Sequence, residues 1–206
     1  PVMPDFRGNG HLIDGSRPQR GDIVVFRFPK DEKIHYVKRC VATENDEILY
    51  QDKHLYIHFS EGNDYIKATY KPEKIKNIGG KLWVENPYKE QFLGITYDDK
   101  VDLFEQMSLH MSVGQLAMKP ALVNDLPMRE GSKFNAFYAK VEKDHYYMVG
   151  DNRDHSNDSR FWGSVPYANI VGKPWFVYFS WDDQYKIRWE RIGRSVESIQ
   201  YDETLF

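Results

Sequence analysis

Along most of this chain apolar side chains recur in short runs at alternate positions, the spacing of a strand with one buried face. Residues 21–28 (GDIVVFRF) and 34–42 (IHYVKRCVA) are rich in β-branched and aromatic side chains and bounded by polar turns, so both are predicted strands. Residues 47–51 and 53–58 alternate Ile48, Tyr50 and Leu55, Ile57 about a tight junction at Asp52, the pattern of a hairpin. Gly79-Gly80 opens a further strand at 81–85, and residues 134–141, 145–149, 173–181 and 185–191 read the same way. Trp175, within a run of aromatics, is expected in the core. Between 99 and 118 the period changes to that of a helix: Leu103, Phe104, Met107 and Met111 share one face, Asp99 is placed to cap the start, and Pro120 follows the end.

The sum is a mainly β chain of about eight or nine short strands with one or two helices, which points to antiparallel sheets or a barrel. Residues 59–129 have weaker strand character and more Lys and Glu, as an insertion into a β core would. Composition sharpens this picture. With 41% hydrophobic residues and 14 Tyr, 12 Phe and 5 Trp, the chain of 206 residues has enough apolar surface to fold around a proper core. Its net charge of -3 gives no general attraction to nucleic acid or to an anionic membrane, so specificity must reside in a site. The single cysteine, Cys40, excludes a disulfide framework, and no pairing of the seven His suggests a metal site. No apolar run is long enough to span a membrane.

Two segments carry candidate chemistry. Residues 150–160 (GDNRDHSNDSR) hold three Asp, two Arg, two Asn and two Ser directly after an apolar strand. On composition alone the plainer reading is a solvated loop of Asx-turns and surface ion pairs. Against it, Phe161-Trp162 returns the chain to the core, which would bury Asp158 and Arg160, where charges require partners. The second segment is Tyr36-Val37-Lys38-Arg39. Period two places Tyr36, Lys38 and Cys40 on one face and Val37, Arg39 and Val41 on the other. An exposed lysine is the commoner case on such a strand; a desolvated one would have a lowered pKa and could serve as a general base.

Taken in order, Arg20-Gly21-Asp22-Ile23-Val24-Val25-Phe26, then Tyr36-Val37-Lys38-Arg39, then the stretch from Gly150 through Ser156, Asp158-Ser159-Arg160 and Trp162-Gly163 to Val165-Pro166 resemble three sequence boxes of bacterial type I signal peptidase. The resemblance implies a β catalytic core of signal peptidase type formed by residues 1–47 and 144–206, with 48–143 as an inserted α+β cap. It implies an endopeptidase with a Ser/Lys dyad that removes signal peptides from exported pre-proteins, without cofactor or metal. Lys38 falls on the general base and Ser156 on the hydroxyl that orients it. Asp158 with Arg160 falls on the supporting charge pair, and Asp151, Arg153 and Arg39 belong to the same network. Tyr36 and Val37 would lie beside the pockets for the small residues before the cleavage site.

The family's Ser-x-Ser-Met box is missing from the sequence. Ser16 and Ser108 are poor substitutes, so the nucleophile and a membrane anchor are expected upstream of Pro1, and the chain alone is expected to be inactive. The expected partners are pre-proteins and a membrane lipid surface, with no nucleic acid, for a monomer on the periplasmic side of the bacterial inner membrane. Aromatic residues near Trp162, Trp175 and Trp181 are candidates for touching lipid. Two alternatives remain: a catalytically silent module that binds extended peptides, and a LexA-type self-cleaving protease.

Overall fold

Most of the alternating segments become strands in the computed structural model, which describes residues 3–4, 11–13, 16–181 and 184–205. In chain order the elements begin with β1 (Met3–Pro4), β2 (His11–Ile13), β3 (Ile23–Phe28), β4 (Asp31–Ala42), β5 (Glu47–Gln51), β6 (His54–His58), α1 (Asn63–Thr69), β7 (Ile75–Ile78) and β8 (Lys81–Glu85). They continue with α2 (Leu103–Ser112), β9 (Lys119–Ala121), β10 (Ala136–Lys140), β11 (His145–Val149), α3 (Ser159–Trp162), β12 (Val165–Pro166), β13 (Ile170–Gly172) and α4 (Val196–Ile199). The fold is thus mainly β, and the strand pairs within its two larger sheets are antiparallel. One sheet has the order β12-β11-β4-β3-β13 and the other β7-β8-β6-β5-β10-β9, while β1 pairs with β2.

The two sheets share one buried cluster. Val41, Ala42, Tyr147 and Val149 of the five-stranded sheet belong to it together with Ile48, Ile57, Val84 and Phe137 of the six-stranded one. Leu103, Phe104 and Met107 of α2 complete it, as their helical spacing predicts. Val24, Phe26, Cys40 and Met148 form a separate cluster with Trp162, Val165 and Ile170. Strand β4 therefore has buried neighbours on both faces at its C-terminal end, where Lys38 and Arg39 sit.

Turn chemistry follows the sequence closely at the hairpin between β5 and β6. Asp52 adopts φ 50°, the left-handed conformation that Asp tolerates, and lets Tyr50 face Leu55. The helix differs from expectation at its start. Asp102, not Asp99, caps α2 by accepting from the Glu105 amide, and Arg129 holds the same carboxylate in place. Its end comes early because Gly114 takes φ 71° soon after the last turn.

The C-terminal region departs further. Residues 173–181 and 185–191 are not strands; their β pairing among the described residues is limited to isolated bridges, Phe176 with Ser195 and Trp181 with Ile187, and Trp189–Arg191 form a 3-10 turn. Their aromatic content favours strand only where a second layer covers the side chains, and here none does. Trp175 is 85% exposed rather than in the core, and Trp162 is 8% exposed rather than available to lipid. The short strands β7, β12 and β13 were too brief to show an alternation of their own.

Candidate active site

Lys38 lies on β4 opposite Val24 of β3, in the middle of the five-stranded sheet. Its Nζ donates to Ser156 Oγ at 2.9 Å, joining groups 118 residues apart. Burial pushes the Lys38 pKa below the ordinary lysine value; Asp158 and Asp151 pull it upward, and Arg160 works with burial. The Tyr36 ring flanks the ammonium at 5.6 Å and packs in turn on Phe28 and Trp162, which keeps that side of the lysine apolar.

The approach of Ser156 to Lys38 depends on a glycine. A Cβ on Gly150 would stand 2.2 Å from Ser156 Oγ and 3.3 Å from Lys38 Nζ, so any side chain there would occupy the space of the hydrogen bond. The Gly150 amide donates to Asp158 Oδ2 at 3.0 Å. Asp158 is fully buried, caps α3, and receives Arg160 Nε and Nη2, each at 2.8 Å. Burial raises its pKa, yet Arg160, the Gly150 amide and the Ser156 hydroxyl together bring it below the usual carboxylate range. Arg160 also donates to the Arg153 carbonyl, so one buried ion pair holds the loop that bears Ser156 on both sides of the serine.

Arg39 serves the opposite face of β4. It grips Asp151 through two parallel bonds of 2.8 and 2.7 Å, donates to Gly21 O and Gln200 Oε1, and lies over the Phe92 ring. The period-two argument thus separates the two cations as expected. Val37 is 54% exposed and, by strand alternation, shares the Arg39 side rather than that of Lys38. Arg153 is buried, but its Nε and Nη2 have no hydrogen-bond partner, and its link to the network runs through its main chain.

With this geometry in view, comparison with known proteins is informative. The profile of the family described as "Signal peptidase, peptidase S26" matches residues 9–181. A signal peptidase I of Helicobacter pylori is 45% identical over 97% of this chain, which spans 73% of that protein.

The chain belongs to the S26 signal peptidase family.

Other relatives are more distant. A signal peptidase I of Buchnera aphidicola is 32% identical over 88% of the chain and 62% of its own length, and one of Pseudomonas fluorescens is 32% identical over 84% and 53%. A solved signal peptidase I from Enterococcus faecalis aligns over 78% of this chain and 98% of its own, at 19% identity and a TM-score of 0.37.

In this S26 member neither alternative serine meets the lysine. Ser108 Oγ donates to the Phe104 carbonyl inside α2, and Ser16 is exposed beside Pro18 and Asp22, in a cleft also lined by Trp175. A cleft of about 620 Å³ opens beside Ser156, walled by Phe28, Leu103, Phe161 and Trp162, with His110 and His155 among its polar groups. Among the described residues no group of three His, Cys, Asp or Glu is placed to hold a metal ion. Sequence reasoning missed two contributors. The demand for glycine at position 150 is invisible without the fold, because the clash comes from Ser156 and Lys38. Gln200, in a segment of no marked pattern, gave no signal at all.

Proposed function

We propose that this chain is the catalytic body of an endopeptidase that removes signal peptides from exported pre-proteins, with Lys38 as general base and Ser156 as the hydroxyl that orients it. The single observation that carries this reading is the 2.9 Å bond between a half-buried lysine of lowered pKa and a buried serine held by the Asp158–Arg160 pair. A protonated lysine has three donors and no lone pair. Once neutral, Nζ can keep one N–H on Ser156 Oγ and direct its lone pair at an attacking hydroxyl, taking that proton and later giving one to the leaving amine. Asp158, Arg160, Asp151 and Arg39 position this pair, Arg153 through its main chain, and Tyr36 shields it from water. The nucleophile we assign to a serine of the same protein outside these 206 residues.

The sign of the pH dependence follows. Only the neutral lysine acts as base, so kcat/KM rises with pH through the Lys38 pKa, which lies below the ordinary value of 10.5. The test is cleavage of a synthetic signal-peptide junction by the complete natural protein, and by this chain alone, across pH. An acid limb below pH 10.5 with no cleavage by the chain alone is expected. Cleavage by the chain alone would make an internal serine the nucleophile, and a limb at the unshifted value would remove Lys38 as base.

The lipid surface is the second partner in this reading, with catalysis on the periplasmic side of the inner membrane. No helix among the described residues is long and apolar enough to cross a membrane. Support comes from Trp175, Tyr178, Trp181, Tyr185 and Trp189, all exposed within one stretch, where such amphipathic rings suit the headgroup zone. Replacing Trp175 and Trp189 together by alanine should weaken binding of this chain to phospholipid vesicles by about tenfold, roughly 1.4 kcal/mol. Unchanged sedimentation with vesicles would remove the lipid partner.

A further inference from the structure

The loop that carries Ser156 is also held from the six-stranded sheet. Lys53, at the turn between β5 and β6, donates to Asp154 Oδ2 at 3.0 Å, to the Val101 carbonyl at 3.1 Å and to the Asp98 carbonyl. Three donors thereby meet three acceptors, so the ammonium is saturated. Asp154 is buried, stands two residues before Ser156, and accepts the Asp98 amide at 2.8 Å on the same oxygen that Lys53 binds. Around this pair the chain from 96 to 101 is stitched to the loop: Thr96 N donates to Asp151 O, Arg153 N donates to Thr96 O, and His155 bonds Asp98 at 2.9 Å. Lys53 is itself placed by its neighbour Asp52, which Arg129 holds at 2.9 Å.

We propose that Lys53 is a positioning residue for the peptidase reaction, a clamp through which the six-stranded sheet fixes the loop bearing Ser156 against Lys38. The inference rests on the proposed role of the Lys38–Ser156 pair. The Asp158–Arg160 pair ties the loop together through the Gly150 amide and the Arg153 carbonyl, and Arg39 grips Asp151. The residues just before Ser156 are tied in addition to the segment 96–101, and among the described residues Lys53 is the one charged side chain from outside both that bonds to each of them. Without it Asp154 loses the cation that compensates its buried charge, and the loop must shift or admit water. A displacement of the order of 1 Å at a positioned hydroxyl can cost about 10²-fold in rate.

The experiment uses the complete natural protein and a synthetic signal-peptide junction. Lys53→Met should lower kcat by about 10- to 100-fold with little change in KM. As water reaches Lys38, the acid limb of the pH profile should move upward. Asp154→Asn should move it the same way. The two substitutions change charge in opposite senses, so a shared direction identifies loop geometry rather than a direct charge effect. The charged groups bearing on Lys38 are Asp158, Arg160 and Asp151, and both variants leave them intact. Lys53→Arg, which keeps the charge and the donors, should restore part of kcat. Lys81→Met, which removes an exposed ion pair with Glu47 on the same sheet, should leave both readouts unmoved. If Lys53→Met does not fold, Asp154→Asn carries the same test. Unchanged kcat and an unmoved acid limb in the folded variants would overturn the clamp while leaving the dyad in place. Failure of the unsubstituted protein to cut would instead sink the functional reading beneath it.

Discussion

Lys38→Met in the complete protein should abolish cleavage of a signal-peptide junction, by on the order of 10³- to 10⁴-fold in kcat, while leaving the fold at least as stable. The size is that of losing a positioned general base. The second half of the expectation separates a catalytic lysine from a structural one. A cation whose pKa is lowered on folding opposes folding wherever it is protonated. Between the lowered value and 10.5 the unfolded chain binds more protons, so stability rises with pH across that window. Below 10.5 the desolvation of this amine therefore opposes folding, and methionine, of similar length and without charge, removes that cost. The measurement pairs a cleavage assay with urea unfolding of the same sample. Near-normal cleavage would end the case for Lys38, and a large fall in stability would recast it as a structural cation.

Asp158→Ala should do the reverse, destabilising the chain by about 3–5 kcal/mol, as the removal of one member of a buried pair does. Asp158 and Arg160 are both buried, and Asp158 takes two guanidinium bonds, the Arg160 amide and the Gly150 amide. Alanine would leave the Arg160 cation facing the Arg153 carbonyl and the Tyr50 ring, and would remove the cap of α3. Against a typical total stability of about 5–15 kcal/mol this is a large fraction. The control is Asp158→Ala combined with Arg160→Met, which removes both charges and should recover much of the loss. The pair also has a pH signature. Because the folded pKa of Asp158 is lowered, its contribution is complete above the unfolded value near 3.9 and fades as pH falls toward the folded one. Urea midpoints that are equal for the single variant and the unsubstituted chain would refute this account.

How much of this was legible in advance can be judged residue by residue. The separation of Lys38 from Arg39 onto opposite faces required only the two-residue period of a strand. The apolar stripe of α2 and the turn at Asp52 were equally local, since each rests on spacing or on one residue's backbone preference. The charged stretch from Gly150 to Arg160 was conspicuous by composition, and the resemblance to a known family gave roles to Asp151, Arg153, Ser156, Asp158 and Arg160. Composition alone, however, favoured a solvated loop. Asp158 and Arg160 are buried where Trp162 packs into the cluster with Val24 and Phe26 and where Arg160 lies over the Tyr50 ring, contacts between distant segments.

The same distinction explains the failures. The aromatic runs at 173–181 and 185–191 have every local property of strands, but a strand is stabilised by a partner ladder and a covering layer, and the fold supplies neither. Gly150 stood at the head of the third box, but the reason for a glycine there emerged only when Ser156 and Lys38 were brought against it. Lys53 looked like an ordinary turn lysine until Asp154 arrived from 101 residues away. The sequence by itself determined the longer paired strands, the hairpin, the helical face and most of the charged residues of the site, because those follow from periodicity and residue type within a few positions. Which charges are desolvated, which hydroxyl meets the lysine and which aromatics stay outside were decided only by the tertiary structure, because burial and pairing belong to surfaces assembled from segments far apart in the chain.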